Sequence, residues 1–121
     1  PISILTFKNV PTGTSGGITL TGTLGSILGA SILVFSVWLF FPIYGELAYG
    51  IILCGILGAT LDSILGASIQ GKYQSINGSI IEIPEDGAIL VQGNKWVSND
   101  MVNLLSTATA PLFMYLYLLY I

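Results

Sequence analysis

The sequence predicts an all-α integral membrane protein with three transmembrane helices and a small cytoplasmic β-hairpin between helices two and three. Composition is the first reason: of 121 residues, 53% are hydrophobic and 7% are charged, whereas soluble domains carry about 25% charged residues. The mean hydropathy of +0.86 agrees with this. The second reason is length, because three apolar stretches reach the roughly 20 residues that a helix needs to cross a bilayer. Lipid is therefore the expected solvent.

Composition also excludes several classes of function. The net charge is -3 and the only cations are three lysines, which argues against a nucleic-acid partner. The chain has no histidine and a single cysteine, Cys54. An intrachain disulfide, a zinc site built on cysteine or histidine, and a histidine-dependent nucleophile are therefore not expected.

Residues 1–18 are predicted to form an extended lead-in followed by a loop rich in Gly, Thr and Ser. Pro11 biases Val10 away from a helical conformation, and the glycines permit unusual backbone angles. The chain starts at Pro1, with no basic stretch followed by a short apolar one, so no signal peptide is expected. The abrupt start suggests that another segment precedes it, as in a processed precursor or a split protein.

The first two membrane helices are predicted over residues 19–41 and 46–70, joined by a tight turn into an antiparallel hairpin. Threonines at the start of the first helix are suited to satisfy free N–H groups. Gly25 and Gly29 form a small-xxx-small pattern that is typical of close helix packing in lipid. Bulky aromatic residues near its end suit the membrane interface.

The second helix carries an unusual acid, Asp62. A charged residue near the centre of a membrane helix costs about 2.5–3.5 kcal/mol on insertion scales. Gly55, Ala59 and Gly66 share a helical face with Asp62, because they follow at steps of three and four. We therefore expect the carboxylate to point into a helix bundle.

Residues 71–98 form the only clearly aqueous segment, with two short strands predicted at 79–83 and 88–92 around a Pro-Glu-Asp-Gly turn. Glu82, just before this turn, and Glu85 and Asp86 within it are interpreted as a solvated hairpin tip. The third membrane helix is predicted over residues 100–121, which contain no charge after the first residue.

The lysines indicate the orientation in the membrane. Lys8 precedes the first helix, and Lys72 and Lys95 flank the loop between the second and third helices. The positive-inside rule therefore places the Gly-rich loop and residues 71–98 in the cytoplasm. This topology brings the distinctive polar residues to one face of the membrane.

The Gly-rich loop is a candidate phosphate site. Its N–H groups, the hydroxyls of Thr14 and Ser15, and the positive end of a helix starting at Thr19 all favour an anion. No Gly-Lys-Ser/Thr follows, so it is not a P-loop. A flexible linker into a membrane helix explains the same residues, and the sequence leaves both readings open.

Asp62 and Asp100 are candidate ligands for a Mg²⁺ ion that holds nucleotide phosphates. The alternatives are structural: Asp62 hydrogen-bonds a neighbouring helix, and Asn103 bonds across helices. Ser98, Asn99 and Asp100 are all ordinary helix-capping residues, so capping alone explains one of them. No catalytic residue is assigned.

Three motifs carry a family resemblance: TFKNVPTGTSGGITLTGTLGSILGA (Thr6–Ala30), GATLDSILGASIQ (Gly58–Gln70) and WVSNDMVNLLST (Trp96–Thr107). Together they resemble the transmembrane protein 19-like family, also called domain of unknown function 92, which includes the plant chloroplast phytyl-phosphate kinase. Members usually have several upstream helices that end in an Ala-Asp-Thr-Trp-like motif. That motif is missing here, so the chain resembles the C-terminal half. If the upstream Asp belongs to the metal site, this half alone is expected to be inactive or to need a separate partner.

The resemblance implies a polytopic membrane protein that is, or is part of, a kinase using CTP or another nucleoside triphosphate to phosphorylate an isoprenoid monophosphate. Expected partners are membrane lipid, the isoprenoid phosphate, the nucleotide, and an upstream half or a second copy of the chain. The alternative is a non-enzymatic component, such as a transporter half or an assembly subunit, because acids in membrane helices also mark ion paths. From the positions that match the family and their polar neighbours, we expect three sets of site residues. Lys8, Gly13, Thr14, Ser15, Gly16 and Gly17 are expected to bind phosphate, and Asp62 and Asp100 to bind Mg²⁺. Ser63, Gln70, Asn99 and Asn103 are expected to form a polar site.

Overall fold

The computed structural model describes residues 1–120; Ile121, the last residue of the third predicted helix, lies outside the described residues. Three helices dominate, α1 (Leu20–Trp38), α2 (Gly45–Ser68) and α3 (Asn99–Tyr120). Each is long and apolar enough to cross a membrane. The predicted fold class is therefore confirmed.

Helix α2 lies between α1 and α3 and packs against both. Its glycines mark the contacts: a Cβ at Gly55 would lie 3.3 Å from the Cβ of Ala30 in α1, and one at Gly50 would lie 2.5 Å from a ring carbon of Tyr117 in α3. Small residues let helix backbones approach closely in lipid, where there is no hydrophobic force between helices. The glycines of α2 therefore determine how its neighbours pack.

The close-packing pattern predicted for α1 is not used within the part of the chain that the structure describes. A Cβ added at Gly25 or Gly29 would meet no atom within 4 Å. The contact with α2 is made instead by Ala30, one residue further along. The spacing of Gly25 and Gly29 matches a helix-packing motif, but within the described chain no helix packs against these two glycines.

Two small antiparallel sheets lie outside the helices. In the first, β1 (Ile2–Ser3) pairs with β2 (Gly17–Ile18). In the second, β3 (Lys72–Gln74) is central, between β4 (Ile80–Ile81) and β5 (Ile89–Gln92).

The predicted strands at 79–83 and 88–92 are present in shorter form, but they do not pair with each other. Each pairs with β3, so the hairpin consists of β3 and β4, and β5 adds to its other side. The segment that contains the predicted Pro-Glu-Asp-Gly turn connects β4 to β5, which lie on opposite sides of β3. Sequence analysis missed β3 because three residues are too few to show an alternating pattern.

The second sheet is attached to the C-terminal end of α2. The N–H of Asn94 donates to the carbonyl of Ile69 at 2.9 Å, and the Nε2 of Gln92 donates to the carbonyl of Ala67 at 2.7 Å. These bonds satisfy carbonyls that a helix end leaves without partners. The end of α2 therefore fixes where the extramembrane segment lies.

Few apolar side chains are buried in the described residues: Cys54, Ala67, Tyr73 and Val102. Large apolar side chains on the helices are exposed, as Phe35 in α1 is. In water such a surface would be unfavourable, but the chains of lipids are as apolar as leucine. The exposed surface is therefore the surface expected of a membrane bundle.

We predict that Gly50→Ala destabilises the α2–α3 contact. The new methyl group would displace the ring of Tyr117, whose hydroxyl donates to the carbonyl of Glu46 at 3.1 Å. Overpacking of this kind costs about 1–3 kcal/mol. The matched control is Gly45→Ala, where a Cβ meets nothing within 4 Å. Thermal unfolding in detergent measures the difference, and equal midpoints for the two variants would show that this contact is loose.

Candidate functional site

A cavity of about 810 Å³ lies among the three helices, and we call it the helix cavity. Small residues form much of its wall, including Gly22 and Ser26 of α1 and Gly55 and Ala59 of α2. Polar side chains are concentrated on α2 and α3. They include Asp62 and Ser63 of α2 and Asn103, Ser106 and Thr107 of α3, and the hydroxyls of Thr19, Thr23, Ser26 and Thr60 also line the wall.

Asp62 is half-buried on the wall of the helix cavity. Its Oδ1 accepts a hydrogen bond from the Oγ of Ser106 in α3 at 2.9 Å, and Ser106 is itself buried. This contact confirms that the carboxylate points into the bundle. No donor among residues 1–120 bonds Oδ2, so α3 holds one carboxylate oxygen and the other makes no hydrogen bond within the described chain.

Ser106 was not predicted as a partner of Asp62. The signal that could have found it is its position one turn after Asn103, which places both on one face of α3. Asn103 is exposed on the cavity side, and the hydroxyl of Ser63 donates to the carbonyl of Ala59 within its own helix. The helix cavity thus brings Asp62, Ser63 and Asn103 together.

A second cavity of about 890 Å³, the loop cavity, lies outside the helices. Gly13 and Ser15 of the Gly-rich loop line it, together with Asn99 and Asp100 at the start of α3 and acids near β4, Glu82 and Glu85. Asp100 is exposed here, whereas Asp62 lines the helix cavity. The two predicted metal ligands are therefore not brought into one cavity, and residues 1–120 contain no group of three His, Cys, Asp or Glu side chains able to hold a metal alone.

Four side chains join the Gly-rich loop, the end of α2 and the second sheet, and we call them the polar cluster: Ser15, Gln70, Lys72 and Glu82. The carboxylate of Glu82 accepts from the N–H of Ser15 and from its Oγ, each at 2.7 Å, and from the Nε2 of Gln70 at 3.0 Å. The Nζ of Lys72 donates to the carbonyl of Ser15 at 3.0 Å. Gln70 is 0% exposed and Lys72 is 6% exposed.

Gly16 of the loop and Gly66 of α2 allow the Gly-rich loop to pack closely against the helix. Gly16 has a φ of +80°, and a Cβ there would overlap the backbone of Ala67 in α2. A Cβ at Gly66 would in turn lie 3.2 Å from the Cβ of Ser15. Gly16 therefore fits closely against the helix, and the simple reading of the loop as a flexible linker is not what the structure shows.

The remaining loop residues are placed less distinctively. Gly13 has a φ of +87° with open space around it, and Thr14 accepts from the N–H of Gly17 in a turn at 2.9 Å. Gly17 lines the helix cavity. Lys8 is exposed and lines neither cavity.

Glu82 and Lys72 are the functional candidates that sequence analysis missed. Glu82 was interpreted as part of a solvated tip, but it is half-buried and holds Ser15, 67 residues away. The available signal was an acid between isoleucines, which is unusual for an exposed turn. Lys72 was used only as evidence of orientation.

Comparison with known proteins identifies the family. The chain matches the family model described as "Integral membrane protein DUF92" over residues 1–111. The chain belongs to this family. Protein PGR of Arabidopsis thaliana is 30% identical over 125 residues, which cover 88% of this chain and 41% of that protein. The predicted family is therefore confirmed.

Other DUF92-related proteins come from a chloroplast and an archaeon. "Protein VTE6, chloroplastic" of Arabidopsis thaliana is 34% identical over 102 residues, 84% of this chain and 25% of that protein. An uncharacterized membrane protein of Methanocaldococcus jannaschii is 40% identical over 79 residues, 60% of this chain and 30% of that protein. The chain thus spans less than half the length of these relatives. No solved structure matches the chain significantly.

We predict that Ser106→Ala lowers the free energy of unfolding by about 0.6 kcal/mol, the average measured for hydrogen bonds between membrane helices, and by no more than about 1.7 kcal/mol. The control is Ser36→Ala, because the Oγ of Ser36 bonds only the carbonyl of Ile32 in its own helix. Unfolding of both variants is followed in mixed micelles. If Ser106→Ala loses no more stability than Ser36→Ala, the bond to Asp62 does not tie α2 to α3.

Proposed function

We propose that this chain forms the lipid-binding part of a membrane kinase that transfers a phosphoryl group from a nucleoside triphosphate, such as CTP, to an isoprenoid monophosphate. The observation that carries the proposal is the helix cavity with Asp62 on its wall. Its volume of about 810 Å³ lies within the range of about 300–1,000 Å³ typical of ligand sites. Small residues leave room for an isoprenoid chain, and the phosphate lies toward Asp62.

A phosphate beside a carboxylate needs a cation between them, because two like charges repel in a low dielectric. Mg²⁺ suits this position, since it commonly takes one or two carboxylates together with substrate phosphates and water. The Oδ2 of Asp62 is the ligand this chain offers, with oxygen atoms of Ser63 and Asn103 on the same cavity wall. When bound, the ion would neutralise phosphate charge. Asp100 is assigned to the loop cavity instead.

The nucleotide is assigned to the loop cavity, where Gly13, Ser15, Asn99 and Asp100 meet. Contacts of the polar cluster hold the Gly-rich loop and residues 71–98 at the same end of the bundle. With the lysines at this end, the positive-inside rule favours a cytoplasmic position, where nucleotides are available. Helix α2 contributes Asp62 to one cavity, and Gln70, just after its C-terminal end, belongs to the cluster beside the other.

The residues act by positioning and by charge neutralisation, as in other phosphoryl transfers. Asp62 would hold the ion whose charge offsets that of the acceptor phosphate, and the bond from Ser106 keeps the carboxylate directed into the cavity. The reaction itself is supported by the family resemblance to phytyl-phosphate kinase. Because the chain spans 25–41% of its relatives' length, further groups are expected from an upstream half or a second copy.

We predict that Asp62→Asn in the intact protein lowers phosphoryl transfer by at least roughly 10²-fold, the scale of losing one preorganised electrostatic group. Transfer of label from radiolabelled CTP to geranylgeranyl monophosphate measures the rate. Asp86→Asn is the matched control, because it removes the same charge from an exposed position in the turn before β5.

Near-normal turnover of Asp62→Asn would leave Asp62 with a structural role. No label transfer by the wild-type intact protein would contradict the kinase proposal. Proton-gradient-dependent flux without any effect of nucleotide would instead favour a transporter, the alternative that an acid inside the membrane also suggests.

A further inference from the structure

Glu82 occupies the donors of the Gly-rich loop. Its two carboxylate oxygens together accept from the N–H of Ser15, the Oγ of Ser15 and the Nε2 of Gln70. A backbone N–H, a hydroxyl and a side-chain amide converging on one anion are the donors that also bind phosphate oxygens. The loop that was predicted to bind phosphate therefore binds an anion, and that anion is a carboxylate of its own chain.

The buried lysine indicates that this carboxylate is not the only anion the cluster is suited to bind. Lys72 is 6% exposed, and among residues 1–120 its Nζ makes a hydrogen bond only to the carbonyl of Ser15. An ammonium has three donors, and a buried charge is costly unless it is paired. The Oε1 of the fully buried Gln70 also lacks a hydrogen-bond partner in the described chain, but it is an acceptor and does not itself favour an anion. The cluster is thus incompletely satisfied when Glu82 occupies it.

The loop cavity gives access to Ser15 and Glu82, whereas Gln70 and Lys72 do not line it and are buried, so a ligand contacts them only when Glu82 moves. Ser15 and Glu82 both line the loop cavity of about 890 Å³. Glu82 follows directly after β4, which has only two residues and is held by β3 on one side. Moving Glu82 away therefore disturbs a short edge strand and leaves the helices in place.

We propose that Ser15, Gln70 and Lys72 form a binding site for a terminal phosphate group, and that Glu82 is a built-in competitor which the incoming phosphate displaces. This rests on the proposed function only in expecting a phosphate ligand, which is carried either by the nucleotide or by the lipid. Binding at the site is coupled to release of Glu82, so the Gly-rich loop exchanges its contact with the sheet for a contact with substrate.

Competition of this kind lowers the apparent affinity by the fraction of molecules in which the site is open. If Glu82 occupies the site in about 90–99% of molecules, removing its charge raises the affinity for phosphate roughly 10- to 100-fold. Lys72→Met has the opposite effect, because it removes the cation and keeps a side chain of similar length.

Isothermal titration of the intact protein in detergent tests this inference, with inorganic phosphate, CTP and geranylgeranyl monophosphate as separate probes. We expect Glu82→Gln to bind at least one phosphate probe more tightly than wild type, and Lys72→Met to bind it more weakly. Glu85→Gln is the matched control, because Glu85 lines the same cavity but bonds Ser75 and not Ser15; its effect should be much smaller. The probe that shows the gain identifies the nucleotide or the lipid as the source of the phosphate.

An unchanged affinity in Glu82→Gln, with reduced thermal stability, would overturn the inference and leave Glu82 as a structural latch. An equal gain in Glu85→Gln would also overturn it, because the effect would then be one of general charge. If Glu82→Gln does not fold, Lys72→Met provides an independent test. Phosphate binding by Lys72→Met that is as tight as in the wild type would contradict the proposed site. Glu82-dependent phosphate binding without any label transfer would contradict the kinase proposal and support this site. Label transfer without any effect of Glu82→Gln on phosphate binding would support the kinase proposal and contradict this site.

Discussion

The arrangement of this protein depends on the hydrogen bonds that meet at the C-terminal end of α2. Within a membrane, apolar burial does not hold helices together, so small residues and polar contacts decide how segments pack. Here Gln70, which is fully buried, and Glu82 connect the Gly-rich loop to the second sheet. The bonds to the carbonyls of Ala67 and Ile69 hold the sheet on the helix. Both extramembrane segments are thereby fixed at one end of the bundle.

The same helix end relates the two cavities to each other. Asp62 lies near the C-terminal end of α2 and Gln70 follows directly after that end, so the segment that lines the helix cavity leads into the polar cluster. A kinase for membrane lipids must present a phosphate that emerges from the bilayer to a nucleotide that comes from water. An acid inside the bundle and an anion-binding loop at its end suit these two tasks. Phosphoryl transfer between them needs positioning more than covalent chemistry.

Much of the fold could be predicted, because length and hydropathy are properties of contiguous residues. The three helices follow from them, and the inward direction of Asp62 follows from its spacing to Gly55, Ala59 and Gly66. Tertiary pairing could not be predicted in this way. Ser15 and Glu82 are 67 residues apart, and β3 is recognisable as a strand only through its partners on both sides. The separation of Asp62 from Asp100 likewise depends on which helices pack together.

The central claim, that the helix cavity holds the isoprenoid phosphate, is tested most directly by photo-crosslinking. A geranylgeranyl monophosphate analogue with a diazirine on its chain is irradiated with the intact protein in liposomes, and the labelled peptides are mapped by mass spectrometry. The predicted result is labelling of the α1 and α2 residues that line the cavity, around Gly22, Ser26 and Ala59, which unlabelled substrate competes away. Labelling confined to exposed side chains such as Phe35 and Trp38, without competition, would contradict the claim.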